Sequence, residues 1–225
     1  GIPKKNIYSC PEQMPSYQMG CYVSVLEAGI KHELHPLMTI AKLRDISLHP
    51  DLGTKKISAF FEMDADEVIN QSAKLKKLFD ILEEVRRRKE KVLIFLVSKK
   101  MQLILKHLIY EKLGLKILNP VNGDINGIAR QRIVDVFNAS IGFNVLILSP
   151  EAAGVGFTIT SANNVVHLSR TWNPAKEDQA TDRVYRIGQK REVNVYLPMA
   201  CHKDLGEGAS FDEKLDELLS YKRKL

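Results

Sequence analysis

Residues 91–98, KVLIFLVS, are apolar at nearly every place, and a strand with that text has no face it can leave in water. It needs covering on both sides, which is the condition of a strand inside a parallel sheet. The text that follows supplies the covers. MQLILKHLIYEKL at 101–113 has helical apolar spacing, LKIL at 115–118 reads as a second, short strand, and NPVNGDING at 119–127 reads as a turn. ARQRIVDVFN at 129–138 reads as a helix and NVLILS at 144–149 as a third strand. NVVHLS at 164–169, a helix opening at Pro174 and EVNVYLP at 192–198 continue the alternation. Strands separated by helices of about 10 to 14 residues imply βαβ units, hence an α/β fold with a parallel sheet and helices on both faces.

The flanks read differently. Residues 1–10 form an extended start, and 11–52 have helical spacing with breaks at Pro36 and Pro50, so they predict a helical subdomain outside the sheet. GTKKISAFFEMDADEVI at 53–69 has no strong period and is expected to be a mobile connection. Ser72 is placed to cap a helix whose stripe is Leu75, Leu78, Phe79, Leu82 and Val85, with the basic run 86–89 at its C-terminal end. FDEKLDELLSYKRKL at 211–225 predicts a last amphipathic helix.

The 225 residues suffice for one large domain with an appended subdomain, and the formal charge of +6 favours an anionic partner such as nucleic acid. Cys10, Cys21 and Cys201 form no Cys-x-x-Cys pair, and His32 and His35 lack further ligands, so no disulfide framework or metal site is expected. No apolar run approaches the roughly 20 residues of a membrane span and no signal peptide is visible. The expectation is a soluble cytoplasmic protein.

In open parallel sheets functional groups gather at the carboxyl ends of the strands. Four candidate groups obey that rule: Ser98, Lys99 and Lys100; Asn122, Gly123 and Asp124; the stretch from Ser149 to Thr158; and Trp172 with Asn173. The Gly-x-Gly at 154–156 lacks the third glycine of a dinucleotide fingerprint, since position 159 is Ile. A helix capped by Asn173, opened by Pro174 and closed by Gly188 would carry Gln179, Arg183 and Arg186 at i, i+4 and i+7 on one face. A guanidinium pair so held suits a phosphate.

QATDRVYRIGQ at 179–189, with Trp-Asn-Pro before it and SPEAAGVGFTIT before that, resembles the last helicase motifs of the Swi-Snf family of double-stranded-DNA translocases, especially its bacterial members. Leu43, Arg44, Ser47, His49 and Pro50 are similar to that family's helical insertion, although Arg44 and His49 also suit a purely structural tie between helices. The resemblance implies a RecA-like lobe at 70–200, a linker and helical insertion at 1–69 and a bracing helix at 201–225. It implies the C-terminal motor lobe of an ATP-dependent translocase, with Arg186 as arginine finger, Arg183 beside it and Gln179 holding the water or the arginine pair in register. Gly154, Gly156 and Thr158 would meet the nucleotide. Ser98, Lys99, Lys100, Asn122, Gly123, Asp124, Ser149, Trp172 and Asn173 would follow double-stranded DNA, gripping phosphates without reading bases. Two departures stand out: Thr158 where the family usually has Asn, and Glu151 where bacterial relatives often carry a basic residue.

The sequence has no Gly-x-x-x-x-Gly-Lys-Ser/Thr loop and no Asp-Glu pair after a strand. ATP and Mg2+ would therefore be held mainly by an N-terminal RecA-like lobe of the same parent chain, and these residues alone should not hydrolyse ATP. The competing reading is a non-catalytic DNA- or protein-binding α/β module without a motor partner.

Overall fold

The computed structural model describes residues 1–225, apart from the side chains of Ala153 and Val155. In chain order the elements are β1 (Lys5–Gln13), α1 (Ser16–Ile30), α2 (Pro36–Leu48), α3 (Ile57–Glu62), α4 (Ala65–Asn70), α5 (Ala73–Arg87), β2 (Lys91–Phe95) and α6 (Lys99–Leu113). They continue with α7 (Gly127–Ala139), β3 (Asn144–Leu148), β4 (Asn164–His167), α8 (Pro174–Thr181), β5 (Val193–Cys201) and α9 (Phe211–Lys224). Two compact units emerge, one of Gly1–Ser9 with Leu78–Leu197 and one of Cys10–Lys77 with Pro198–Leu225.

The first unit is built on a parallel sheet in the order β1-β5-β4-β2-β3, the RecA-like α/β arrangement. The most apolar text lies at its centre: β2 pairs in parallel with β3 on one side and β4 on the other, and every residue of β2 is buried. One core cluster runs through Leu93, Phe95, Leu146, Leu148, Val165 and Val195, and Phe137 of α7 and Val184 join it. Two local readings change. LKIL is not a strand; Val121 makes the bridge to Leu148 instead, because Pro120 and the turn after it leave room for only one parallel contact. The extended start is β1, whose Tyr8 stacks on Tyr196 of β5 at 5.4 Å.

The second unit is helical. Residues 53–69, expected to be mobile, contain α3 and α4, with Phe60 and Val68 fully buried, since helices this short are set by a few apolar anchors rather than by a repeating stripe. His49 shows why the region is ordered. Its Nδ1 accepts the Asp51 N–H at 3.0 Å, so Nε2 carries the proton and donates to the Val68 carbonyl at 3.0 Å. Burial holds its pKa down at about 4, which keeps the ring neutral and both bonds intact. Gln18, also fully buried, donates to the Ile46 carbonyl and accepts from the Ala73 N–H. α9 opens with a capping box between Ser210 and Glu213, and its Asp212 pairs with buried Lys74 at 3.1 Å. Among the described residues no helix is long and apolar enough to cross a membrane.

Candidate functional site

The carboxyl edge of the sheet is tied together by a glutamine that the sequence did not single out. Ser98 caps α6 by accepting the Met101 N–H at 3.1 Å, which places Gln102 one turn into the helix and fully buried. Its Nε2 donates to the Leu96 carbonyl at 2.6 Å and to Ser149 Oγ at 3.0 Å, and its Oε1 accepts from Asn122 Nδ2 at 2.8 Å. Two of the four candidate groups, those of Asn122 and Ser149, are thereby held by one side chain. Asn122 Oδ1 in turn accepts the Asp124 N–H at 2.9 Å, shaping the loop around exposed Gly123. Lys99 and Asp124, both offered as DNA contacts, form an exposed ion pair at 2.7 Å, while Lys100 is half-buried.

The next loop is locked by a second unforeseen pair. Arg170 grips Glu177 with two bonds, Nε to Oε2 at 2.8 Å and Nη2 to Oε1 at 3.0 Å, and both side chains are only 5% exposed. The forked geometry fixes Thr171 to Asn173 against the start of α8. Asn173 accepts the Ala175 N–H at 2.9 Å as the expected cap, and Trp172 is 47% exposed. His167, at the end of β4, stacks on Phe95 and reaches Thr181 Oγ1 at 2.9 Å.

A 3-10 turn, Pro150–Val155, brings Gly154 beside α8, where a Cβ would meet Gln179 Oε1 at 4.0 Å. Gly156 has φ 85°, a left-handed conformation that favours glycine, and it turns the chain toward exposed Thr158, whose carbonyl accepts from Asn138 Nδ2 at 3.1 Å.

The helix expected to run to Gly188 stops at Thr181. Arg183 and Arg186 lie in the turns beyond it and do not share a helical face with Gln179. The cause is tertiary: the Arg183 carbonyl accepts the Ile159 N–H at 3.0 Å, which removes it from the helical ladder, and Val184 turns into the core. Gln189 completes the turn, buried, donating to the Ala162 and Val184 carbonyls and accepting the Lys190 and Arg191 N–H groups. Gln179, Arg183 and Gly154 nevertheless come together, since Arg183 Nε donates to the Gln179 carbonyl at 3.2 Å. Burial and then the nearby charge of Arg186 lower the Arg183 pKa. Among the described residues neither arginine has a carboxylate in ion-pair contact, which fits them to an anionic phosphate group. No cluster of three or more potential metal ligands occurs among the described residues.

Residues 73–188 match the family model of the helicase conserved C-terminal domain. The chain is 45% identical over 162 residues to the Zorya protein ZorD of Escherichia coli O139:H28 (strain E24377A / ETEC), covering 69% of this chain and 15% of that protein. It is 34% identical over 197 residues to the putative ATP-dependent helicase/translocase YwqA of Bacillus subtilis (strain 168), covering 88% of this chain and 20% of YwqA. The chain thus spans a fifth or less of these relatives. Among solved structures, the Sulfolobus solfataricus SWI2/SNF2 ATPase core in complex with dsDNA superposes with TM-score 0.75 at 30% identity, covering 99% of this chain and 45% of that one. The C-terminal part of the Fun30 ATPase domain superposes at 0.80 with 22% identity, covering 97% and 90%, a likeness of fold.

Proposed function

Because the chain belongs to the helicase conserved C-terminal domain family, as the C-terminal lobe of a Snf2-family helicase, we propose that it is half of an ATP-driven double-stranded-DNA translocase. The observation that carries the reading is the Arg183 and Arg186 pair, set beside Gln179 and Gly154 with no carboxylate ion-paired to either among the described residues. Such a pair is suited to the negative charge that spreads over a transferring phosphoryl group. Bound ATP with Mg2+ would supply the free energy of phosphoanhydride cleavage. This chain's part is to present Arg186 as the finger, to hold Arg183 through the Gln179 and Phe157 carbonyls, and to bring the backbone of Gly154, Gly156 and Thr158 close to the nucleotide. The phosphate loop and metal-holding acids would come from the other lobe of the parent chain. That reading accords with a chain covering 45% of a SWI2/SNF2 ATPase core.

The DNA would run along the carboxyl edge, over Ser98, Lys99, Lys100, Asn122, Gly123, Asp124, Ser149, Trp172 and Asn173. In this reading the Gln102 knot and the Arg170–Glu177 clamp fix the loops to one another, so that a grip on phosphates has a rigid base. In the full-length protein, Arg186→Ala should lower DNA-stimulated ATP turnover by about 10³ to 10⁵ while leaving DNA affinity nearly intact, and Lys should not replace it. ATP turnover at saturating DNA is measured beside a DNA titration of the same variant. Turnover within about tenfold of the parent removes Arg186 from the catalytic role.

A further inference from the structure

Lys89, Lys91, Lys190 and Arg191 converge on a concavity of about 620 Å3. It lies at the amino edge of the sheet, since Lys91 opens β2, Gly142 precedes β3, Ser161 precedes β4 and Arg191 precedes β5. No carboxylate lines it among the described residues.

Three details show that the positive charge is built in. Lys91 is 8% exposed, and its Nζ donates to the Gly142 carbonyl at 2.9 Å, with no carboxylate in ion-pair contact among the described residues. Burial, then the proximity of Arg191, push its pKa below the ordinary lysine value, and the charge of an anion brought into the cavity would offset both by favouring the ammonium form. Lys89 has φ 58° where α5 ends, with the Glu90 N–H returning to the Val85 carbonyl at 3.2 Å. That is a position for glycine, and a lysine there is strained. The acids in the same two stretches face elsewhere: Glu90 is bound by Arg88 at 2.9 Å and Asn164 at 3.2 Å, and Glu192 by Asn6 at 3.2 Å. In Lys89-Glu90-Lys91 and Lys190-Arg191-Glu192 the cations line the cavity and the carboxylates do not.

We infer that this pocket binds a small anion of linked phosphates, either the phosphate chain of a nucleotide or an inorganic polyphosphate. The volume is in the range of small-molecule sites and exceeds what one phosphate fills, and four cations call for several negative charges. Lone exposed lysines would not make such a site; convergence from separate loops around a buried ammonium does. Thr158 also lines the pocket and is among the residues proposed to meet the nucleotide, so the test leaves it untouched.

Inorganic tripolyphosphate is titrated calorimetrically into the 225-residue chain, with magnesium-free ATP in a second arm. Saturable binding that weakens with added salt is expected. Lys89→Gly should weaken it about threefold or more without lowering Tm, because glycine relaxes the left-handed backbone while the charge is lost. The double variant K190E/R191E, at two exposed positions, should weaken it by about tenfold or more. ATP binding tighter than tripolyphosphate by more than about threefold identifies the nucleotide as the source, and equal affinity identifies the bare phosphate chain. Absence of saturable binding at millimolar tripolyphosphate, or unchanged affinity in both variants, overturns the inference. Loss of binding in Arg186→Ala with both pocket variants unaffected places the anion at the arginine pair instead, which overturns the pocket and leaves the motor reading standing.

Discussion

The two edges of the parallel sheet satisfy their polar residues in opposite ways. At the carboxyl edge, Gln102 joins Leu96, Ser149 and Asn122, Arg170 is matched to Glu177, and Lys99 is matched to Asp124. At the amino edge, four cations share a cavity with no acid in its lining among the described residues. The first pattern makes a rigid surface whose internal partners are already present. The second leaves charge unanswered, and unanswered charge is what an incoming anion uses. Buried polar residues at the carboxyl edge should therefore report on stability when removed, and cations at the amino edge should report on binding.

The largest expected effect is at the clamp. Glu177→Ala leaves the Arg170 guanidinium buried without its carboxylate and should cost about 3 to 5 kcal/mol in urea unfolding. A loss below about 1 kcal/mol would mean that Arg170 behaves as a surface charge, and the contrast between the edges would fail. Next comes Gln102→Leu, which keeps volume but orphans the Leu96 carbonyl and frees Asn122, for a loss of about 1 to 3 kcal/mol. Urea unfolding checks this as well, and a neutral result would show that water replaces the amide. The smallest effect belongs to the exposed pair. Asp124→Asn should change stability by less than about 1 kcal/mol while releasing Lys99, so the salt dependence of DNA binding should steepen by up to about one unit in log K against log salt. An unchanged slope in a titration across salt concentrations would take Lys99 off the proposed DNA track.

Much of the fold was legible because its signals are local. KVLIF, NVLIL and NVVH are buried along almost their whole length, as runs without a polar face must be, and Ser72 and Asn173 accept hydrogen bonds at or near helix starts as expected. Asn122, Ser149 and the glycines at 123, 154 and 156 fall on the loops where the strand order puts them, and Gln179 falls on α8. Gln102 was hidden inside an ordinary amphipathic helix, since a buried amide differs from an exposed one only in partners that lie 6, 20 and 47 residues away. Arg170 and Glu177 gave a faint signal, two opposite charges either side of Trp-Asn-Pro, that spacing alone could not tell from a surface pair.

The sequence by itself determined the alternation of strand and helix, the caps and the loops that carry polar residues, because each depends on periodicity or on neighbours within a turn. Only the tertiary structure decided where α8 stops. The Ile159 N–H reaches the Arg183 carbonyl and Val184 turns into the core, so the two arginines leave the helix that their spacing implied. It also decided which charges are matched. Lys99 meets Asp124 across 25 residues, whereas Lys91 meets the carbonyl of Gly142 across 51 and no carboxylate pairs with it among the described residues. Coulomb energy depends on distance in space and on burial, and neither is written in the order of the residues.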